Sequence, residues 1–204
     1  MDLKKRFFRL LWVLILIIGV VLMIYLAQKK ADNPEAVIRK FFDAIRTNQL
    51  QEVSNYLITD DFQVEEPANA LGNAIRSNIQ IIKIDSIVSS DNAGYTADVT
   101  LEVLDVRQIM SRATLQMMLL SQGHTDQEKF DADRELSAIY DAILGSGSLP
   151  KKQTFCNLTL EKKNGRLKIL PNESLQRILD GEMSENLQYI ETIMKNGATD
   201  QNDN

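Results

Sequence analysis

Apolar positions recur along this chain with different periods, and each change of period marks an element. The longest run is Leu10 to Ala27, LLWVLILIIGVVLMIYLA, with 18 residues and no charge. At the rise of an α-helix it spans roughly 27 Å, close to the hydrocarbon thickness of a bilayer. After residue 33 the period becomes helical. Asn33-Pro34-Glu35 is a helix start, and Val37, Ile38, Phe41, Phe42 and Ile45 follow on one face. Leu50, Val53 and Leu57 mark a second short helix over Gln49 to Leu57, and Pro67 to Arg76 a third.

The period then falls to two. Ile79 to Ser89 is rich in β-branched residues, Asp91 to Gly94 is a turn, and Tyr95 to Leu104 alternates. Tyr95, Ala97, Val99, Leu101 and Val103 face one way; Thr96, Asp98, Thr100 and Glu102 face the other. Helical spacing returns over 106–144. Val106, Ile109, Met110, Ala113, Met117 and Leu120 form one stripe, and Phe130, Leu136, Ile139, Tyr140 and Ile143 another. Thr125-Asp126-Gln127-Glu128 between them has the form of a capping box, so this segment is expected to be a helical hairpin. Gln153 to Lys162 alternates with Phe155, Leu158 and Leu160 prominent, and Asn164-Gly165 signals a tight hairpin into Arg166 to Leu170. Asn172 caps a helix to Leu179, Gly181 breaks it, and Ser184 to Lys195 is the last amphipathic helix. Residues 196–204, NGATDQNDN, form a polar tail expected to be disordered.

Strands that arrive in hairpins make an antiparallel sheet, and helices segregated from them give an α+β fold. The expected organisation is a cytoplasmic tail (1–9), a transmembrane anchor (10–27), a linker (28–33), an outer domain (34–195) and the tail. Trp12 and Tyr25 stand near the ends of the apolar run, at the depths that amphipathic rings favour. A cleaved signal peptide is the rival reading, but the run is long for one and Tyr25 fits a cleavage site poorly. Lys4, Lys5, Arg6 and Arg9 crowd the short N-terminal flank, which places that end in the cytoplasm and the domain outside a cell membrane crossed once.

Charge sharpens this picture. Of 23 basic and 28 acidic residues, six bases and one acid lie in 1–30, which leaves residues 31–204 at −10. Such a domain repels phosphate backbones, so no nucleic acid is expected as a partner. One cysteine, Cys156, excludes an intrachain disulfide, and one histidine, His124, excludes a site with two imidazoles.

The segment PEAVIRKFFDAIRTNQLQEVSNYL resembles the opening helices of the nuclear transport factor 2-like superfamily, and the later hairpins resemble its strands. The likeness covers about residues 34–195 and implies a cone of helices against a curved antiparallel sheet, here with a helical insertion at 106–144. A narrower likeness is to membrane-anchored bacterial envelope proteins, through Leu101 to Asp105, Lys162 to Ile169 and Leu179-Asp180-Gly181; Leu167 stands where that group often has tryptophan. The resemblance implies a fold and an address rather than a chemistry.

Enzymes of the superfamily keep an acid inside the cone, and Asp98 is the matching residue here. Its place opposite the apolar set of its strand favours a solvated carboxylate instead. His124 falls in the turn of the helical hairpin, and Asp126, Asp131, Asp133 and Glu135 lack the glycine of a calcium loop, so no metal and no cofactor is expected. Asn157 and Asn172 head glycosylation sequons by pattern alone. Leu115, Met117, Met118 and Leu119, within the nearly all-apolar stretch Thr114 to Leu120, are the candidate partner surface, although burial against the second helix of the hairpin is the favoured reading. The sequence thus points to a non-enzymatic, membrane-tethered domain that binds an envelope protein or a small apolar ligand, with self-association open. A scaffold subunit of a type IV secretion-like assembly shares the layout.

Overall fold

The computed structural model describes residues 16–20, 33–58, 64–90, 94–123 and 131–199. Residues 16–20 are helical, with Leu16, Ile17, Ile18 and Val20 exposed. The rest of the apolar run 10–27, including Trp12 and Tyr25, lies outside the described residues, as do His124 and the Thr125–Glu128 capping box. Among the described residues no helix is long and apolar enough to cross a membrane.

The domain opens with α1 (Pro34–Arg46), α2 (Leu50–Tyr56) and α3 (Ala70–Ser77). Asn33 accepts the Glu35 backbone N–H at 3.0 Å, and Asn69 accepts that of Gly72 at 2.8 Å, so both α1 and α3 begin on side-chain caps. Strands β1 (Gln80–Ser89) and β2 (Tyr95–Leu104) follow, then the helices α4 (Val106–Gly123) and α5 (Ala132–Gly145). Strands β3 (Lys151–Lys163) and β4 (Arg166–Leu170) complete the sheet, and α6 (Glu173–Leu179) and α7 (Met183–Thr199) follow.

The four strands form one antiparallel sheet in the order β1-β2-β3-β4. The β2–β3 register runs from Tyr95 opposite Leu160 to Leu104 opposite Lys151, so α4 and α5 are inserted between directly paired strands. Asp105 N–H donates to Pro150 O at 2.8 Å and ties the two ends of the insertion together. At the β3–β4 turn Asn164 (φ 54°) and Gly165 (φ 77°) both take the left-handed conformation that a two-residue hairpin of matching twist requires. Register shifts between Ile81 and Lys83 and between Ile84 and Ser86 bulge the edge strand β1.

Alternation in β2 places Ala97, Val99, Leu101 and Val103 in a core with Ile38, Phe41 and Ile45 of α1 and Leu175 and Ile178 of α6. A second core joins Leu71 and Ile75 of α3 to Val106, Ile109, Met110 and Ala113 of α4 and Ile139 and Ile143 of α5. Each fully buried aliphatic contributes about 1.5–3 kcal/mol by leaving water. The helices cover one sheet face; Thr96, Asp98, Phe155 and Asn157 are exposed on the other.

Phe155 is 76% exposed, because an odd position on β3 faces away from the even ones, where Cys156, Leu158 and Leu160 are buried. Two sequence expectations change. α5 begins on Asp131, whose Oδ1 accepts the Arg134 N–H at 3.2 Å. The last helix runs to Thr199, past Asn196 where the polar tail was expected.

Candidate functional site

Asp105 starts α4: its Oδ1 accepts the Gln108 N–H at 3.1 Å, and its carbonyl accepts that of Ile109. The first half of the helix buries Val106, Ile109, Met110 and Ala113. The second half outgrows its support. Met117 stays half-buried beside the second core, with Leu136, Tyr140 and Ile190 packed against the same cluster. Leu115 is 59% and Leu119 62% exposed, and Met118 and Leu120 are exposed to a lesser degree. This corrects the expectation that Leu115, Met118 and Leu119 are buried by the second helix. On a 3.6-residue wheel they point away from the Val106–Ala113 stripe, and α5 packs on that stripe. An i, i+4 ridge, Leu115 to Leu119, therefore stands in solvent with Met118 at its flank.

α7 holds the base of α4. The Arg107 guanidinium lies 4.7 Å over the Tyr189 ring, and its Nε donates to Asn186 Oδ1 at 3.3 Å. Asn186 is fully buried, and its amide also donates to Gly181 O at 3.0 Å. The proximal end of α4 is thus fixed while its distal end projects.

The polar sheet face carries Asp98. Its carboxylate accepts from Asn157 at 2.7 Å and Ser86 at 2.9 Å. Those hydrogen bonds, Asn157 first, hold the carboxyl below its ordinary value. Asp85 beside it accepts from Lys83 and from Thr100 and is lowered likewise, Lys83 being the larger cause. A general base near neutral pH needs the opposite shift. Asn157 and Asn172, the sequon residues, are both engaged: Asn172 donates to Asn157 O at 2.8 Å and caps α6 through Leu175 N–H at 2.9 Å. Cys156 is buried, and burial pushes its thiol up to about 11. Among the described residues no three His, Cys, Asp or Glu side chains gather closely enough to hold a metal ion.

A cleft of about 550 Å³ lies between α1 and the start of β1. Arg39, Lys40, Asp43 and Arg46 line it from α1, Gln80 and Ile81 from β1, and Lys151 from β3. Sequence reading passes over this cluster, because its cations occupy the solvent face of an amphipathic helix and Lys151 comes from a distant strand. The visible signal is the Arg39, Lys40, Arg46 spacing opposite the apolar stripe of α1.

No family model, no curated protein and no solved structure matches the chain.

Proposed function

We propose that the chain is a non-enzymatic binding module, tethered to a cell membrane through residues 10–27 and held on the outer side, and that it recognises another envelope protein through the distal half of α4. The observation that carries this reading is the Leu115–Leu119 ridge, 59% and 62% exposed on a helix whose base is fixed. An apolar i, i+4 ridge suits the apolar face of a partner helix. Confinement of both partners to one membrane raises their effective concentration, so a small contact suffices. The order of helices, hairpin, helical pair, hairpin and helices around an antiparallel sheet supports the nuclear transport factor 2-like resemblance.

Address and binding are tested separately. Cys156 is buried and poorly ionised, so it stays silent to a membrane-impermeant maleimide. In intact cells His124→Cys is labelled and Asp2→Cys is not; the reverse pattern overturns the topology. A photo-crosslinking side chain at Leu119 gives discrete protein adducts in cells, and Leu115→Asp abolishes them. Adducts to lipid alone, or adducts that survive Leu115→Asp, overturn the recognition surface.

A further inference from the structure

The cleft between α1 and β1 inverts the charge of its surroundings. Residues 31–204 carry a net −10, yet Arg39, Lys40, Arg46 and Lys151 converge on the cleft; Asp43 is the one acid that lines it, and Glu35 and Glu102 pair with these cations from its margin, which leaves the cluster with an excess of positive charge. A concave site with an excess of one sign of charge focuses the field on a ligand of the other sign. We infer that this cleft binds an extended, acidic peptide segment.

The cations are available to such a ligand. Arg39 pairs with Glu35 at 2.9 Å, Arg46 with Asp43 at 2.6 Å and Lys151 with Glu102 at 2.8 Å. All are solvent-exposed pairs of the kind that contribute little, so exchanging their carboxylate for a ligand's costs little. Lys40 is exposed and has no hydrogen-bond or ion-pair partner among the described residues.

The spread of charge selects an elongated anion. Arg39 to Arg46 covers about 10 Å along α1, the length of about three extended residues. A compact phosphate is poorly served. α3 meets the cleft with its C-terminal end, at Ser77 and Asn78, and the negative end of the helix dipole disfavours concentrated negative charge.

Backbone chemistry then separates a peptide from other polyanions. β1 is terminal in the sheet, and among the described residues no strand pairs with its outer edge. The opposite edge differs, because Leu57 bridges Ile169 of β4 and Ile58 N–H donates to Ile169 O at 3.0 Å. Gln80 and Ile81, the part of β1 that precedes its first bulge, lie on the cleft. An extended peptide adds amide hydrogen bonds to this short length of open edge while its acidic side chains meet the cations of α1. A polyphosphate has no amides with which to do so.

The test is fluorescence anisotropy with the full chain in non-ionic detergent and a labelled, end-blocked peptide of alternating glutamate and valine. Saturable, salt-sensitive binding is expected, weakened about tenfold by combining Arg39→Gln with Lys40→Gln, both exposed and outside the core. Arg166→Gln, at the far hairpin, leaves binding unchanged, and melting curves establish that all variants fold. N-methylation of alternate peptide amides weakens binding. Absence of binding, an equal loss with Arg166→Gln, indifference to N-methylation, or displacement by tripolyphosphate at lower concentration than by unlabelled peptide each overturns the assignment. The α4 ridge is not part of this cleft, so Leu115→Asp leaves peptide binding intact whatever becomes of the envelope partner.

Discussion

Gly181 is packed so closely against Ile75 that a Cβ there would fall 2.8 Å from Ile75 Cδ1, and 2.9 Å from Val106 Cγ2. Its φ of 65° adds a second constraint, because the left-handed conformation ends α6 and lets the chain turn into α7. Gly181→Ala meets both the strained φ and the stiff Val106 side chain. A loss of about 2–4 kcal/mol is expected from chemical denaturation. A change within error would mean that the second core yields freely at this point.

Exposure along α4 separates two kinds of substitution. Leu119→Asp and Met118→Asp place charge in solvent, so unfolding free energy stays within about 0.5 kcal/mol of wild type. Ile109→Ala, on the fully buried side of the same helix, costs about 2–5 kcal/mol. Urea titration of the three variants compares them directly, and severe destabilisation by Leu119→Asp would restore burial under the second helix.

The Asp98 carboxyl is held below its ordinary value of 3.8 by Asn157 and Ser86. A depressed folded-state pKa contributes stability that is complete above the unfolded value and disappears as pH falls through the folded one. Asp98→Asn removes that ionisation. The melting-temperature gap between wild type and variant should therefore hold constant near neutral pH and narrow as pH falls below the ordinary value of 3.8. A gap independent of pH would show that the carboxylate charge contributes nothing.

Cys156 is 1% exposed with a thiol near 11, so the folded protein holds almost no thiolate at neutral pH. Disulfide-exchange reagents should modify it only as fast as the domain opens, and rapidly in urea. Rapid modification of the native protein would contradict its packing between the sheet and the helices.

Where periodicity was strong, sequence and structure agree. The alternation of Tyr95 to Leu104, the Asn33 and Asn172 caps and the Asn164-Gly165 turn are local signals, each set by a few adjacent residues. At Phe155 strand parity outweighs hydrophobicity: it alternates with the buried Cys156 and faces outward. The wheel sets Leu115 and Leu119 opposite the Val106–Ala113 stripe, but whether another element covers that face is decided by packing alone, so their exposure was only half legible. The cleft was illegible for a related reason: Arg39 and Lys151 are brought together only by the packing of α1 on the sheet.

The hydrogen bond from Asp105 to Pro150 has a kinetic consequence. Pairing Leu104 with Lys151 demands closure of a loop as long as the whole insertion, and loop closure is entropically costly before contacts repay it. If the two helices pair locally first, they would deliver Asp105 and Pro150 to each other, and β2 and β3 would then zip from a loop already closed. Destabilising the exposed face of α5 should accordingly slow refolding rather than hasten unfolding. Ala138→Gly, costing about 1 kcal/mol, is expected to do so in stopped-flow measurements. An effect confined to the unfolding rate would mean that the strands meet before the helical pair has formed.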